Sequence, residues 1–215
     1  MKLIKSSIAI TGLAVLSGCA SHAQIDMPVV SQVHTPVLEG KTLAYDIYYS
    51  QPTPGIFNEG KQQALTPLAE VELSVASAAT LKNLPDYIYE QLPSSVSRGE
   101  LGNSDYRVHV ELTAHDKKGP VFADFQLAES FGKGLLTLGL APSEYQIIAD
   151  FDARYELHAK DMLIYAEDYT VKDDVDHERG DFESYNSVND PAGQLLKKHL
   201  ILTLNDFFSD AVEEL

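Results

Sequence analysis

The sequence predicts an α+β fold: an antiparallel sheet with a long β-hairpin (about 144–171) and two helices packed on one face. Three observations predict it. From Tyr145 to Ala159 the chain alternates, with Ile148 the one apolar residue on the otherwise polar face. Tyr145, Ile147, Ala149, Phe151, Ala153, Tyr155 and Leu157 share one face, and Gln146, Asp150, Asp152, Arg154, Glu156 and His158 the other, which is the period of a half-buried strand. A tight turn around Lys160 and Asp161 leads into a further strand, Met162 to about Val171, so the two pair as a hairpin. Near the end of the chain Leu196, Leu200, Leu204, Phe207, Ala211 and Leu215 recur at spacings of three or four, the apolar stripe of an amphipathic helix.

The remaining elements follow in order. Residues 19–41 read as anchor and tether: Pro28 and Pro36 interrupt a mostly polar stretch without sustained period, and twenty such residues span about 60–70 Å when extended. Part of it, Met27 to Val30, also reads as an edge strand. Leu43, Tyr45, Ile47 and Tyr49 alternate with Ala44, Asp46 and Tyr48, giving a first strand. A loop with Pro52, Pro54, Gly55 and Gly60 follows. Val71, Leu73 and Val75 then predict a second short strand. Leu81, Leu84, Tyr87, Ile88 and Leu92 fall at helical spacing; Pro85 is tolerated only in a first turn, so this helix begins near Asn83. Tyr106, Val108, Val110, Leu112 and Ala114 form another strand with one face buried. In the hairpin, a two-residue loop puts Met162, Ile164 and Ala166 on the buried face, and an odd-length loop puts Leu163, Tyr165, Tyr169 and Val171 there. The second arrangement buries more apolar area and is favoured. Asp190 as N-cap and Pro191 at the first helical position open the last helix. Its polar side has no net positive charge, so the stripe packs on the sheet rather than on a membrane surface.

The 215 residues carry 32 Asp or Glu against 16 Lys or Arg, a net charge of −16. Such a chain is repelled by nucleic acid and phosphate-bearing surfaces, so no nucleic-acid partner is expected. The acidity is uneven: from Glu144 to Glu183 thirteen Asp or Glu stand against four Lys or Arg, so any electrostatically distinctive face lies there.

The first eighteen residues read as an export signal. Lys2 and Lys5 supply positive charge, and Ile8 to Leu16 an apolar core too short to span a bilayer. Leu16-Ser17-Gly18-Cys19 resembles the bacterial lipobox at all of its positions. The resemblance implies removal of residues 1–18, diacylglyceryl transfer to the thiol of Cys19, and three acyl chains in the mature protein. Two chains already give stable anchoring, at about 0.8 kcal/mol per buried methylene. Ala20 stands where aspartate retains lipoproteins at the inner membrane of enteric bacteria, which implies sorting to the outer membrane. Cys19 is the only cysteine, so no disulfide supports the fold, and the remaining 19–215 suit a tether (19–41) and a single domain (42–215).

No residue set reads as catalytic and no cofactor is implied. There is no Gly-x-Ser-x-Gly elbow, no glycine-rich phosphate loop and no histidine pair at i, i+4. Asp150, Asp152 and Glu156 lie on one strand face and in principle form an acid/base set, with Arg154 among them; a hydrolase built on them predicts a cleft, whereas a solvated face is the plainer reading. Asp173, Asp174, Asp176 and Glu178, continuing to Asp181 and Glu183, offer the oxygen ligands that suit calcium, although the EF-hand spacing is absent; a plain acidic loop is the alternative. His177 lies inside the run. The apolar, glycine-rich stretch from Phe131 to Pro142 is either a contact for lipid or a partner, or a crossover lining the core.

The element order behind a lipobox resembles the α+β outer-membrane lipoproteins of envelope assembly, such as the lipopolysaccharide-assembly lipoprotein and the activators of peptidoglycan synthases. It covers about residues 42–215 and carries over no residue except Cys19. It implies a non-enzymatic, lipid-anchored lipoprotein facing the periplasm that binds envelope protein partners. The alternatives are a ligand-binding lipoprotein, with calcium at 173–183 or lipid at 131–142, and the carboxylate hydrolase.

Overall fold

The computed structural model describes residues 22–54, 60–127, 130, 142–180, 183–184 and 186–215. Cys19, the export signal and most of the Phe131–Pro142 stretch lie outside them. The elements run β1 (Thr42–Ser50), β2 (Thr66–Pro67), α1 (Val75–Lys82), α2 (Leu84–Glu90), β3 (Ser97–Arg98), β4 (Tyr106–Ala114), β5 (Val121–Phe125), β6 (Ser143–Ala159), β7 (Met162–Arg179) and α3 (Asn186–Ala211). The α+β class is as expected.

The sheet is mixed and mostly antiparallel. β6 is its axis: β7 pairs along one edge, and β4 and β5 follow one another along the other, β4 opposite Phe151–Ala159 and β5 opposite Tyr145–Ala149. β1 lies parallel to β4. A parallel pair needs a long crossover, and here the crossover contains α1 and α2, which lie on the same face as α3. That face holds the core. Val108, Val110, Leu112, Ile147, Phe151, Tyr155 and Leu157 are buried against Leu196, Leu200, Leu204 and Phe207 of α3, so the C-terminal stripe packs on the sheet as its periodicity predicts.

Neither register reading of the hairpin holds in full: the loop has two residues, yet Ala166 lies opposite Glu156 on the polar face and Met162 is exposed. Its turn has two residues, Ala159 opposite Met162, with Lys160 in the left-handed region at φ 57°. A bulge then makes Ile164 the extra residue, since His158 faces Leu163 and Leu157 faces Tyr165. Tyr165, Tyr169 and Val171 thereby join the buried face, while Leu163 stays on the other and is half exposed.

Two local expectations are corrected. Val71 to Val75 is not a strand: Ser74 is the N-cap of α1, whose Val75-Ala-Ser-Ala-Ala sequence favours helix. A helix therefore precedes the expected one, which begins at Leu84 with Asn83 as its N-cap and Pro85 in its first turn. α3 contains Pro191 rather than starting at it. α1 crosses α3 at Gly193, where a Cβ would stand 3.1 Å from the Ala76 carbonyl, and the Thr80 hydroxyl donates to the Gly193 carbonyl at 3.0 Å.

The stretch read as a free spacer is docked from residue 22 onward. The Ala23 N–H donates to His177 Nδ1 (3.1 Å), Asn205 Nδ2 to the Ser31 carbonyl (2.9 Å), and the Val33 N–H to the Gln91 carbonyl (2.8 Å). Val33 and Leu38 are buried, and Ala23 and Ile25 pack on the core. This strap shortens any reach from an anchor well below the extended-chain figure. Burial, helped by His22 and opposed by Glu183 and Glu178, lowers the His177 pKa. Its neutral form is therefore favoured by folding, and that stabilisation is full above about pH 6.5 and lost as pH falls below it. A protonated imidazole also cannot accept the Ala23 N–H. Amide exchange at Ala23, corrected for intrinsic rate, is expected to accelerate between pH 7 and pH 5. His177→Gln, which keeps an acceptor without titrating, should flatten that dependence.

Candidate functional site on the uncovered sheet face

Because strand side chains alternate, each residue that enters the core places its neighbour on the opposite face, which no helix covers among the described residues. β1 contributes Asp46, β4 Arg107, His109 and Glu111, β6 Asp150, Asp152, Arg154, Glu156 and His158, and β7 Asp168 and Thr170. Register brings these together: Asp46 lies opposite His109, Glu111 opposite Arg154, His109 opposite Glu156, and Arg154 opposite Asp168.

The result is a continuous mat of charge-assisted contacts. His109 bonds Asp46 through Nδ1 (2.8 Å) and Glu111 through Nε2 (3.2 Å). Arg154 donates to Glu156 (3.0 Å) and Asp168 (2.8 Å), and His158 Nε2 meets the other oxygen of Glu156 at 2.9 Å. Asp152 accepts from the Thr170 hydroxyl at 2.8 Å.

His115 adds the piece that period-two reading misses, because it lies just beyond β4. Between β4 and β5 the chain makes a tight excursion, with an Asp116–Gly119 bridge and Gly119 at φ +114°. Ladder contact with β6 is kept through Asp150, whose carbonyl accepts from His115 N–H and whose N–H donates to the Pro120 carbonyl. The excursion places the imidazole between the two aspartates, Nδ1 2.7 Å from Asp150 and Nε2 3.0 Å from Asp152. The turn residues Asp116-Lys117-Lys118-Gly119-Pro120 were the available signal.

Electrostatics follow the geometry. Burial pulls the His109 and His115 pKa values down, but the flanking carboxylates outweigh it and raise both. For Asp152 and Glu156 burial acts upward, and the hydrogen bonds from Thr170 and His115, and from His158 and Arg154, prevail and lower them. The raised His115 value means that its pairing stabilises the fold fully below about pH 6.5 and is lost as pH rises through the higher folded value. Melting temperature is expected to fall by about one to three degrees across that window, and His115→Asn should remove part of the slope in thermal scans.

Asp150 and Asp152 are thus committed to one imidazole on an open face, about a third and a half exposed. The arrangement keeps a proton on His109 and His115 to higher pH than on a free imidazole and presents carboxylate oxygens to cationic groups. Strand alternation parts Asp173 from the other three carboxylates expected to share a cation. Asp173, opposite Ala149, points to the helices, where His199 Nε2 (2.8 Å) and Lys198 Nζ (3.2 Å) hold it. Asp174, Asp176 and Glu178 face the other way, opposite Ile148, Gln146 and Glu144, with Asp174 accepting from Gln146 at 2.8 Å. Among the described residues no group of three His, Cys, Asp or Glu side chains is placed to hold a metal ion.

No protein-family model matches this sequence, and no curated protein matches it. Solved structures of similar fold include protein XCC0632 from Xanthomonas campestris, of the family DUF330, at 9% identity and TM-score 0.40, covering 89% of this chain and 98% of that one. A putative neuraminyllactose-binding hemagglutinin homolog from Helicobacter pylori is similar at 7% identity and TM-score 0.39, covering 91% and 92%. At these values no residue, family or activity is read across from either. No helix among the described residues is long and apolar enough to cross a membrane.

Proposed function

We propose that this protein is a non-enzymatic lipoprotein, held by lipid on Cys19 at the periplasmic face of the outer membrane, that binds a protein partner in envelope assembly or maintenance. The observation that carries the reading is the sheet face on which, among the described residues, no helix lies. Of the described helices, α1, α2 and α3 lie on one side, while the other presents ordered charged side chains over four adjoining strands. Their carboxylates are tied to imidazole and guanidinium groups in an open setting, which suits recognition of a polar protein surface better than attack on a substrate. The lipobox resemblance supplies the location. The test is photo-crosslinking in intact cells with a photoreactive residue at Arg107, Glu111 or Asp168, and at Leu202 of α3 as control. A discrete crosslinked product from the sheet positions and not from Leu202 is the expected result. Equal yields from both sides, or none, would count against the proposal.

A further inference from the structure

Outer-edge pairing of β1 is interrupted in its middle. Odd-numbered residues turn their backbone groups to that edge: the carbonyls of Lys41 and Leu43 accept from Ser97 and Gly99, and that of Gln51 accepts from Gln63. β3 stops opposite Leu43 and β2 begins opposite Tyr48. Among the described residues, Tyr45 therefore has no strand opposite it on this side, and the gap runs from Ala44 to Ile47. At about 3.3 Å per residue it is roughly 13 Å long.

An apolar groove of about 590 Å³ lies against this gap, walled by Tyr45, Ile47, Leu68, Val71, Leu73 and Pro85. Glu70 and Glu72 are exposed between its wall residues. Lys82 is the single cation lining it, and Asp46 also lines it. The rim is thus net negative in a chain that is itself strongly acidic.

We propose that this groove takes one extended segment of a protein partner, a short apolar stretch flanked by Lys or Arg, which pairs with the backbone of Tyr45 as an added strand. The inference rests on the partner-binding reading above and names a second surface for it. Three features select the occupant. An unpaired strand edge is satisfied by another backbone. The length admits three or four residues, and β2 and β3 at either end keep out the whole sheet of a second copy. The acidic rim favours cationic flanks. A lipid chain would fill the apolar walls but leave the Tyr45 N–H and carbonyl unpaired.

The test is selection of a phage-displayed random peptide library on the full chain. Selected peptides are then titrated against the wild type and Leu101→Arg, and also as copies N-methylated at alternate backbone positions. Leu101 lines the groove and is 58% exposed, so an arginine there opposes a basic peptide without disturbing the core. Expected are apolar sequences with basic flanks, binding about three- to tenfold weaker on N-methylation, weaker binding to Leu101→Arg, and slowed amide exchange at Tyr45. Selection of no peptide, or binding indifferent to both changes, overturns the proposal. So does occupation of the groove by dodecanoate in preference to every selected peptide. If the open face crosslinks a partner while no peptide binds at this edge, partner binding stands and only the added strand fails.

Discussion

Replacement of Cys19 by serine, with residues 1–18 exchanged for a secretory signal that is cut without acylation, is expected to move the protein from the membrane fraction to the soluble fraction. A hydroxyl does not replace the thiol in diacylglyceryl transfer, so the variant lacks every acyl chain. At about 0.8 kcal/mol per buried methylene, one chain gives marginal, reversible binding and a second makes attachment stable; loss of all of them abolishes partition. The rest of the described chain offers no substitute. No helix there crosses a membrane, the apolar stripe of α3 is consumed by the core, and a net charge of −16 opposes adsorption to anionic lipid. Fractionation in high salt, together with the mass of the amino-terminal peptide, checks the prediction. A serine variant that stays with the membrane, or a native peptide without acyl mass, would remove the location and with it the proposed role.

What the sequence made legible is whatever a local period encodes. The alternation of β4 and β6 and the stripe of α3 each state which side is buried, and the core follows them over Val108–Ala114, Ile147–Leu157 and Leu196–Ala211, while Tyr106, Tyr145, Ala159 and Leu215 at the ends are only half-buried. The face of β7 was also legible, although only because a bulge at Ile164 restored the parity that a two-residue turn had shifted. Pairing across a crossover has no local signal: nothing in Thr42–Ser50 or Tyr106–Ala114 states that they run parallel. The strap escaped because isolated apolar residues such as Val33 and Leu38 have no period and are buried by distant partners. In the acidic run, proximity in sequence suggested convergence, but an extended backbone throws successive carboxylates to opposite faces, so Asp173 meets α3 while Asp174 does not. Of the mat on the open face, His158 and the carboxylates of β6 were legible as a polar row. Their pairing required register, and His115 required the excursion at Gly119.

Phe207→Ala is expected to bring the fold close to its limit of stability. Phe207 is fully buried, and its ring lies 5.4 Å from Tyr155, 5.6 Å from Tyr165 and 5.2 Å from Phe208. It therefore joins α3 to the central strand and to the edge strand at once. Truncating a buried Phe to Ala costs about 3–5 kcal/mol in transfer and cavity terms, against a total of about 5–15 kcal/mol for a domain. At about 2–4 °C per kcal/mol for a chain of this size, melting should fall by roughly 6–20 °C. Leu202→Ala on the same helix, 40% exposed, should move it by no more than a degree or two. Denaturant titration of the two variants separates loss of core packing from loss of helix propensity, since both introduce the same residue into α3. Equal stabilities would mean that α3 does not rest on the sheet through this face. The open face depends on that packing, because Tyr165 and the Asp168 that anchors Arg154 belong to the same strand. The Arg154–Asp168 contact should therefore weaken in Phe207→Ala even though Phe207 lies on the other side of the sheet.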